Sequence, residues 1–291
     1  MHLYRCRLRE RKTMDLKQYG YWANQQTQQA VRGLMALPAH RMRALLVTGL
    51  PGTGKTHLAE VLAKAWDATF LYGLCHSWTG ADELFTGINV AAVVRGDADN
   101  AMQPGLLAQA AEASQSGRVV VCLDEIDKAP EATECLLLDW LQSGRVPVAP
   151  GCHVQTKQDN VIVVLTSNLQ RAHSDALIRR CRRLHMSKLP DNVVIDIICQ
   201  RTQIQKGIVR LISRACNLVA DAEGAHVSLQ EIENACIEAW QTARSVDDLR
   251  NIVTAWASRS ETGLQACSTV PVQKAIIGAW GEICSVRRKQ A

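Results

Sequence analysis

Short apolar runs alternate with amphipathic stretches through the first 190 residues. Val119–Leu123 is wholly apolar, and Ala44–Thr48 and Val161–Thr166 are apolar up to a closing threonine. Runs of that length without a polar face read as strands covered on both sides. Ala68–Leu74 is a fourth strand candidate. Between them, apolar residues recur at helical spacing. Leu58, Val61, Leu62, Ala65 and Trp66 mark one helix, and Tyr19–Leu37, Gly105–Ser116, Glu131–Gln142 and Ser174–Cys181 mark others, with a short one over Ala81–Phe85. Gly87–Gly96 is a glycine-bounded apolar excursion. Residues 145–160 carry two prolines and a glycine among short alternating pieces, the pattern of a hairpin. Strands alternating with helices predict a parallel sheet.

Beyond Pro190 the pattern becomes helical throughout. Ile208, Leu211, Ile212 and Ala215 mark one helix; Ser228-Leu-Gln-Glu231 is a capping box that opens a second. Ser245 opens a third, with Leu249, Ile252, Val253 and Trp256 on its inner face, and a last helix runs over Val272–Val286. The chain therefore divides into a basic segment over 1–18, an α/β core over 19–190, a helical domain over 191–286 and a basic end over 287–291. A length of 291 residues suits one large domain and one smaller one.

Composition excludes more than it selects. Apolar content of 47% and charged content of 21% are ordinary for a globular chain. No apolar run approaches the length needed to span a bilayer, and no apolar core follows the basic start, so the expected compartment is the cytoplasm. Met14 offers an alternative start that would remove the first basic run. Eleven cysteines are present without a C-x-x-C pair. Most sit in apolar periodic positions as small hydrophobes, and Cys75-His76 and Cys152-His153 are the only Cys/His neighbours. The net charge of +5 lies at the two ends, which leaves nucleic acid as one partner class and solvated tails as the other reading.

The chemistry begins at Gly49-Leu-Pro-Gly-Thr-Gly-Lys55-Thr56, a complete G-x-x-x-x-G-K-[ST] phosphate loop set between a strand and a helix. Its glycines let backbone N–H groups face a polyphosphate, and the following helix adds the positive end of its dipole. Gly49, Pro51, Gly52, Thr53, Gly54, Lys55, Thr56 and the next residue, His57, are the expected nucleotide contacts. Lys55 can reach the β- and γ-phosphates, and the Thr56 hydroxyl can ligate Mg²⁺.

Three further positions fit such a site. Val119–Leu123 delivers Asp124 and Glu125 at a strand's C-terminal end, where a parallel sheet places its ligands. Asp124 suits Mg²⁺ and Glu125 suits the attacking water. Val161–Thr166 leads to Asn168, whose amide can hold that water, or which serves simply as a strand-end turn residue. Arg179 and Arg180 close a short helix, either as a basic surface or as a fork for a transferring phosphoryl.

Together these residues resemble the AAA+ ATPases over about residues 20–260. The resemblance implies a P-loop NTPase fold, an α/β parallel-sheet core with a C-terminal all-helical lid, that binds and hydrolyses ATP with Mg²⁺. It implies Walker A at Gly49–Thr56, Walker B at Asp124 and Glu125, sensor 1 at Asn168 and an arginine finger at Arg180 or Arg179. The excursion over Gly87–Gly96 and the Gln103-Pro-Gly-Leu-Leu segment are similar to the helix-2-insert branch, which includes MoxR-like ATPases. That branch implies a homo-oligomeric ring, a hexamer, acting on a protein client or adaptor. A nucleic-acid-directed AAA+ protein is the alternative. In many AAA+ lids the helix opening after Ser-Val carries a γ-phosphate-sensing arginine. Here that position is Asp247, and Arg250 or Arg244 is the expected substitute.

Overall fold

The computed structural model describes residues 14–38, 40–97, 101–149 and 151–290. The N-terminal basic run, Arg5 to Lys12, lies outside the described residues, as does residue 291. Two compact units divide the chain: residues 1–50 with 54–186, and residues 187–291 with 51–53.

Among the described residues the first unit holds nine strands: β1 (Arg43–Gly49), β2 (Thr69–Leu74), β3 (Thr86–Ile88), β4 (Met102–Pro104), β5 (Val119–Asp124), β6 (Arg145–Ala149), β7 (Cys152–Gln155), β8 (Val161–Ser167) and β9 (Arg182–Met186). Five form one parallel sheet in the order β2-β5-β8-β1-β9. Its helices are α1 (Gln25–Met35), α2 (Lys55–Trp66), α3 (Ala81–Leu84), α4 (Val90–Val94), α5 (Leu106–Ser116), α6 (Glu131–Ser143) and α7 (Asp175–Arg180).

The apolar runs are explained by how the sheet is covered. In β8, Val161, Val163 and Leu165 enter the core on one face, while Ile162 and Val164 enter the core on the other. β5 divides likewise, with Val119, Val121 and Leu123 against Val120 and Cys122. A strand with helices on both faces has no exposed side, so the period-two alternation of a half-buried strand disappears. The excursion becomes the antiparallel pair β3–β4 with α4 between its strands, and residues 145–155 form the β6–β7 hairpin.

One strand of the sheet is not predicted by the sequence. β9 reads Arg-Arg-Leu-His-Met, and only Leu184 and Met186 are buried. As an edge strand, paired through β1 alone, it keeps a charged face, which masks it.

The second unit holds α8 (Asp191–Thr202), α9 (Lys206–Ala222), α10 (Leu229–Thr242), α11 (Val246–Ala257), α12 (Glu261–Ala266) and α13 (Val270–Gln290) around a single apolar core. Both arms of the capping box at Ser228 and Glu231 are formed. The expected basic tail from residue 287 is instead the last turn of α13. The Arg287 guanidinium donates to the carbonyl oxygens of Ala243 at 2.7 Å and Trp240 at 2.6 Å, satisfying the end of α10. No helix among the described residues is long and apolar enough to cross a membrane.

Candidate functional site

The C-terminal ends of β1, β5 and β8 converge on one edge of the sheet. β1 runs into the phosphate loop at Gly49, which has φ +152°; a Cβ there would collide with the carbonyl oxygen of Met186 on β9. Gly54, at φ +86°, turns the chain into α2, so a left-handed residue without a side chain stands directly before the helix N-terminus.

Lys55 is the first residue of α2 and is buried. Its Nζ folds back to donate to the carbonyls of Gly49 at 2.9 Å and Leu50 at 2.8 Å, and to Asn168 Oδ1 at 2.8 Å. Burial pushes its ammonium pKa below the ordinary value, and the carboxylates of Asp124, Asp127 and Glu125 only partly oppose this. The His57 imidazole points along α2, where Nδ1 lies 3.2 Å from Glu60 and the ring is 5.6 Å from that of Tyr21.

Asp124 closes β5 and is held from three sides. Thr56 Oγ1 donates to its Oδ1 at 2.9 Å, Thr166 Oγ1 donates to the same oxygen, and Tyr72 OH donates to Oδ2 at 3.1 Å. Burial, then the charge of Asp124, pushes the Tyr72 phenol up to about 12, so it remains a donor at neutral pH. The Thr56 hydroxyl and the Asp124 carboxylate offer oxygen ligands only, at hydrogen-bond separation. This donor set fits Mg²⁺, which takes one or two protein oxygens and completes its shell with phosphates and water. Among the described residues, no group of three or more His, Cys, Asp or Glu converges into a metal cage of its own.

Glu125 sits one residue on, at φ +56°, with its backbone N–H donating to Thr166 Oγ1 at 2.9 Å. Its carboxylate is engaged at both oxygens: Asn168 Nδ2 donates to Oε1 at 3.1 Å, and Lys128 Nζ lies 2.5 Å from Oε2. Asp127 is buried and accepts from the backbone N–H groups of Asn168, at 3.2 and 3.3 Å, and of Gln170, at 2.9 Å. Asn168 thereby has a fixed backbone, a donor on Glu125 and an acceptor on Lys55.

The structure thus brings Lys55, Thr56, Asp124, Glu125 and Asn168 together. Arg179 and Arg180 end α7 and do not join this cluster. Arg180 donates to the Ala176 carbonyl at 3.0 Å and to Gln142 Oε1 at 2.6 Å, whereas the Arg179 side chain is 81% exposed, with a long 3.9 Å contact to Asp175. In the second unit Arg250 is committed to Asp247 at 2.6 Å and Gln273 at 3.0 Å, and the Arg244 backbone N–H donates to Asp248.

Sequence reasoning missed Thr166, Asp127, Lys128 and Tyr72. Thr166 had a signal: it is the first polar residue after the apolar run Val161–Leu165, and it is fully buried. A hydroxyl there must find partners, because burial without one is costly.

Comparison with known proteins bears on the same region. Residues 44–181 match the model for the AAA domain of the dynein-related subfamily. No curated protein sequence matches the chain. Two solved structures of mutant RuvB from Thermotoga maritima are similar in fold. The first has a TM-score of 0.50 at 15% identity and covers 87% of this chain and 71% of that one. The second has a TM-score of 0.47 at 15% identity and covers 81% of this chain and 64% of that one. The parallel sheet, the phosphate loop and the matched segment give one conclusion: this chain has the P-loop AAA+ fold, and its residues 44–181 are similar to the AAA domain of the dynein-related subfamily.

Proposed function

We propose that this chain is a Mg²⁺-dependent ATPase that works as a homo-oligomeric ring, a MoxR-like hexamer in the cytoplasm, and couples hydrolysis to remodelling of a protein client. The observation that carries the ATPase reading is the chain of contacts Lys55–Asn168–Glu125, which joins the phosphate loop to the hydrolytic carboxylate through one amide. A γ-phosphate competes for Lys55, and release of the Asn168 acceptor leaves its amide free to turn. Glu125 then accepts a proton from a water held at that amide. Thr56 and Asp124 are the residues that would hold Mg²⁺, which would supply positive charge against the phosphates.

The protein-client reading is supported by the β3–β4 excursion. Ile88, Val90, Val93, Val94 and Met102 are all more than half exposed, and the segment 88–94 carries no basic residue. An apolar tip suits an unfolded or loosely folded polypeptide better than a phosphate backbone. Arg179 or Arg180 would complete a neighbour's site, as a closed ring of heterologous interfaces requires. The test is steady-state ATP hydrolysis with and without Mg²⁺, alongside the mass of the assembled particle. Mg²⁺-dependent turnover confined to the assembled fraction is the expected result. Equal turnover by monomers would overturn the ring, and salt-sensitive stimulation by DNA or RNA would replace the protein client with nucleic acid.

A further inference from the structure

Beneath the site lies a buried polar chain that the hydrolytic reading does not use. Ser167 closes β8 and directly precedes Asn168; its Oγ accepts from the Leu169 backbone N–H at 3.0 Å and lies 2.8 Å from His173 Nε2. His173 Nδ1 lies 2.9 Å from Glu134 Oε1 on α6. A carboxylate cannot donate, so the proton of this pair is on Nδ1, and Ser167 supplies its own proton to Nε2 whenever the imidazole is neutral. The atoms follow the order of a nucleophilic triad. Yet Ser167 is fully buried and the His173 side chain is 2% exposed, so no substrate reaches them. They are a strut.

Glu134 is the hub of that strut. Besides His173, its Oε1 takes Arg171 at 2.8 Å, and its Oε2 accepts the backbone N–H of Ser174 at 3.0 Å. Arg171 goes on to donate to the carbonyls of Ala129 at 3.1 Å and Ile126 at 3.4 Å, in the turn that follows Glu125. Ser174 is the N-cap of α7, the helix that ends in Arg179 and Arg180. Burial alone would raise the carboxyl pKa, but the hydrogen bonds from His173, Ser174 and Arg171 outweigh it and hold the group below its ordinary value, so it stays ionised.

We propose that Glu134 is a positioning residue: through His173, Arg171 and Ser174 it fixes the start of α7 to the strand end bearing Asn168 and to the turn after Glu125, and so sets where Arg179 and Arg180 are presented to a neighbouring subunit. This rests on the shared-site reading above. One buried carboxylate on α6 that takes three donors from the single stretch 171–174 is a rigid joint, because losing an arm strips a partner from a buried charge. A shift in Asn168 is then transmitted to the arginine helix instead of being absorbed in the loop.

The experiment uses two inactive full-length subunits. The acceptor carries Arg179→Ala with Arg180→Ala and keeps Glu125; the donor carries Glu125→Gln and keeps its arginines. An equal mixture should recover about a quarter of wild-type turnover, the share of interfaces at which an acceptor site meets a donor's arginines. Adding Glu134→Gln to the donor should cut that recovery at least tenfold while leaving the donor's affinity for a fluorescent ATP analogue and its assembly unchanged. A joint that merely stabilises the fold would not separate those readouts. His173→Gln in the donor, which keeps the Glu134 charge and the Arg171 ion pair, should give a smaller loss of the same kind, and it decides the matter if Glu134→Gln does not fold. Full recovery with the doubled donor overturns the role of Glu134 alone. No recovery with the simple donor overturns the shared site, and the role of Glu134 with it.

Discussion

Two five-residue apolar runs, Val161-Ile-Val-Val-Leu165 and Val90-Ala-Ala-Val-Val94, have nearly the same composition and opposite fates. The first is the middle of β8, completely buried between two cores. The second is α4, with Val90, Val93 and Val94 exposed by 68%, 51% and 81% and only Ala92 buried. Position explains the difference. β8 is flanked in the sheet by β5 and β1 and capped by helices, so every side chain meets an apolar neighbour. α4 lies between the strands of the two-stranded β3–β4 ribbon, outside the five-stranded sheet, and only its Ala92 turns inward. Apolar content at one place holds the sheet edge that carries the candidate site; at the other it is left available.

The sharpest way to break that comparison is an aspartate in each run. Val163→Asp places a charge without a partner among the buried residues of β8 and should cost about 4 kcal/mol or more, so no folded chain is expected by circular dichroism. Val94→Asp, in contrast, should leave the denaturation midpoint nearly unchanged. A finer cut comes from Thr166→Val, which keeps shape but strips the hydroxyl from Asp124 and the Glu125 backbone N–H. Turnover should fall about tenfold or more, with ATP affinity retained in a direct titration. The smallest effect on the molecule itself belongs to Val90→Ser with Val94→Ser. Stability should move by less than about 0.5 kcal/mol and basal ATP hydrolysis should hold, whereas any stimulation by an unfolded protein substrate should disappear. Stimulation that survives in this variant removes α4 from client binding.

Much of the candidate site was legible in the sequence because its elements are local: a glycine pattern, and carboxylates or an amide at the ends of apolar runs. What was not legible is the wiring. Lys55 to Asn168, and Glu134 to His173 and Arg171, are side-chain contacts set by how distant elements are brought together, and spacing along the chain does not encode that arrangement. β9 escaped because an edge strand needs only Leu184 and Met186 inward, and its arginines read as part of the basic stretch after Arg180. The helical end of α13 escaped because the partners that fix Arg287, the carbonyls of Trp240 and Ala243, lie about 45 residues back along the chain. Arg250 shows the reverse case. Its pairing with Asp247, three residues earlier, follows directly from helical spacing.

The contact between Gly49 and Met186 also orders events in time. β1 emerges early in synthesis, but both of its sheet neighbours, β8 and β9, emerge about 120 to 140 residues later. The first turn of the phosphate loop therefore lacks its β9 neighbour until residue 186 has left the ribosome. A fragment ended at residue 181, where the AAA-domain match stops, would carry the phosphate loop with Asp124, Glu125 and Asn168 and still lack the strand against which the loop is shaped.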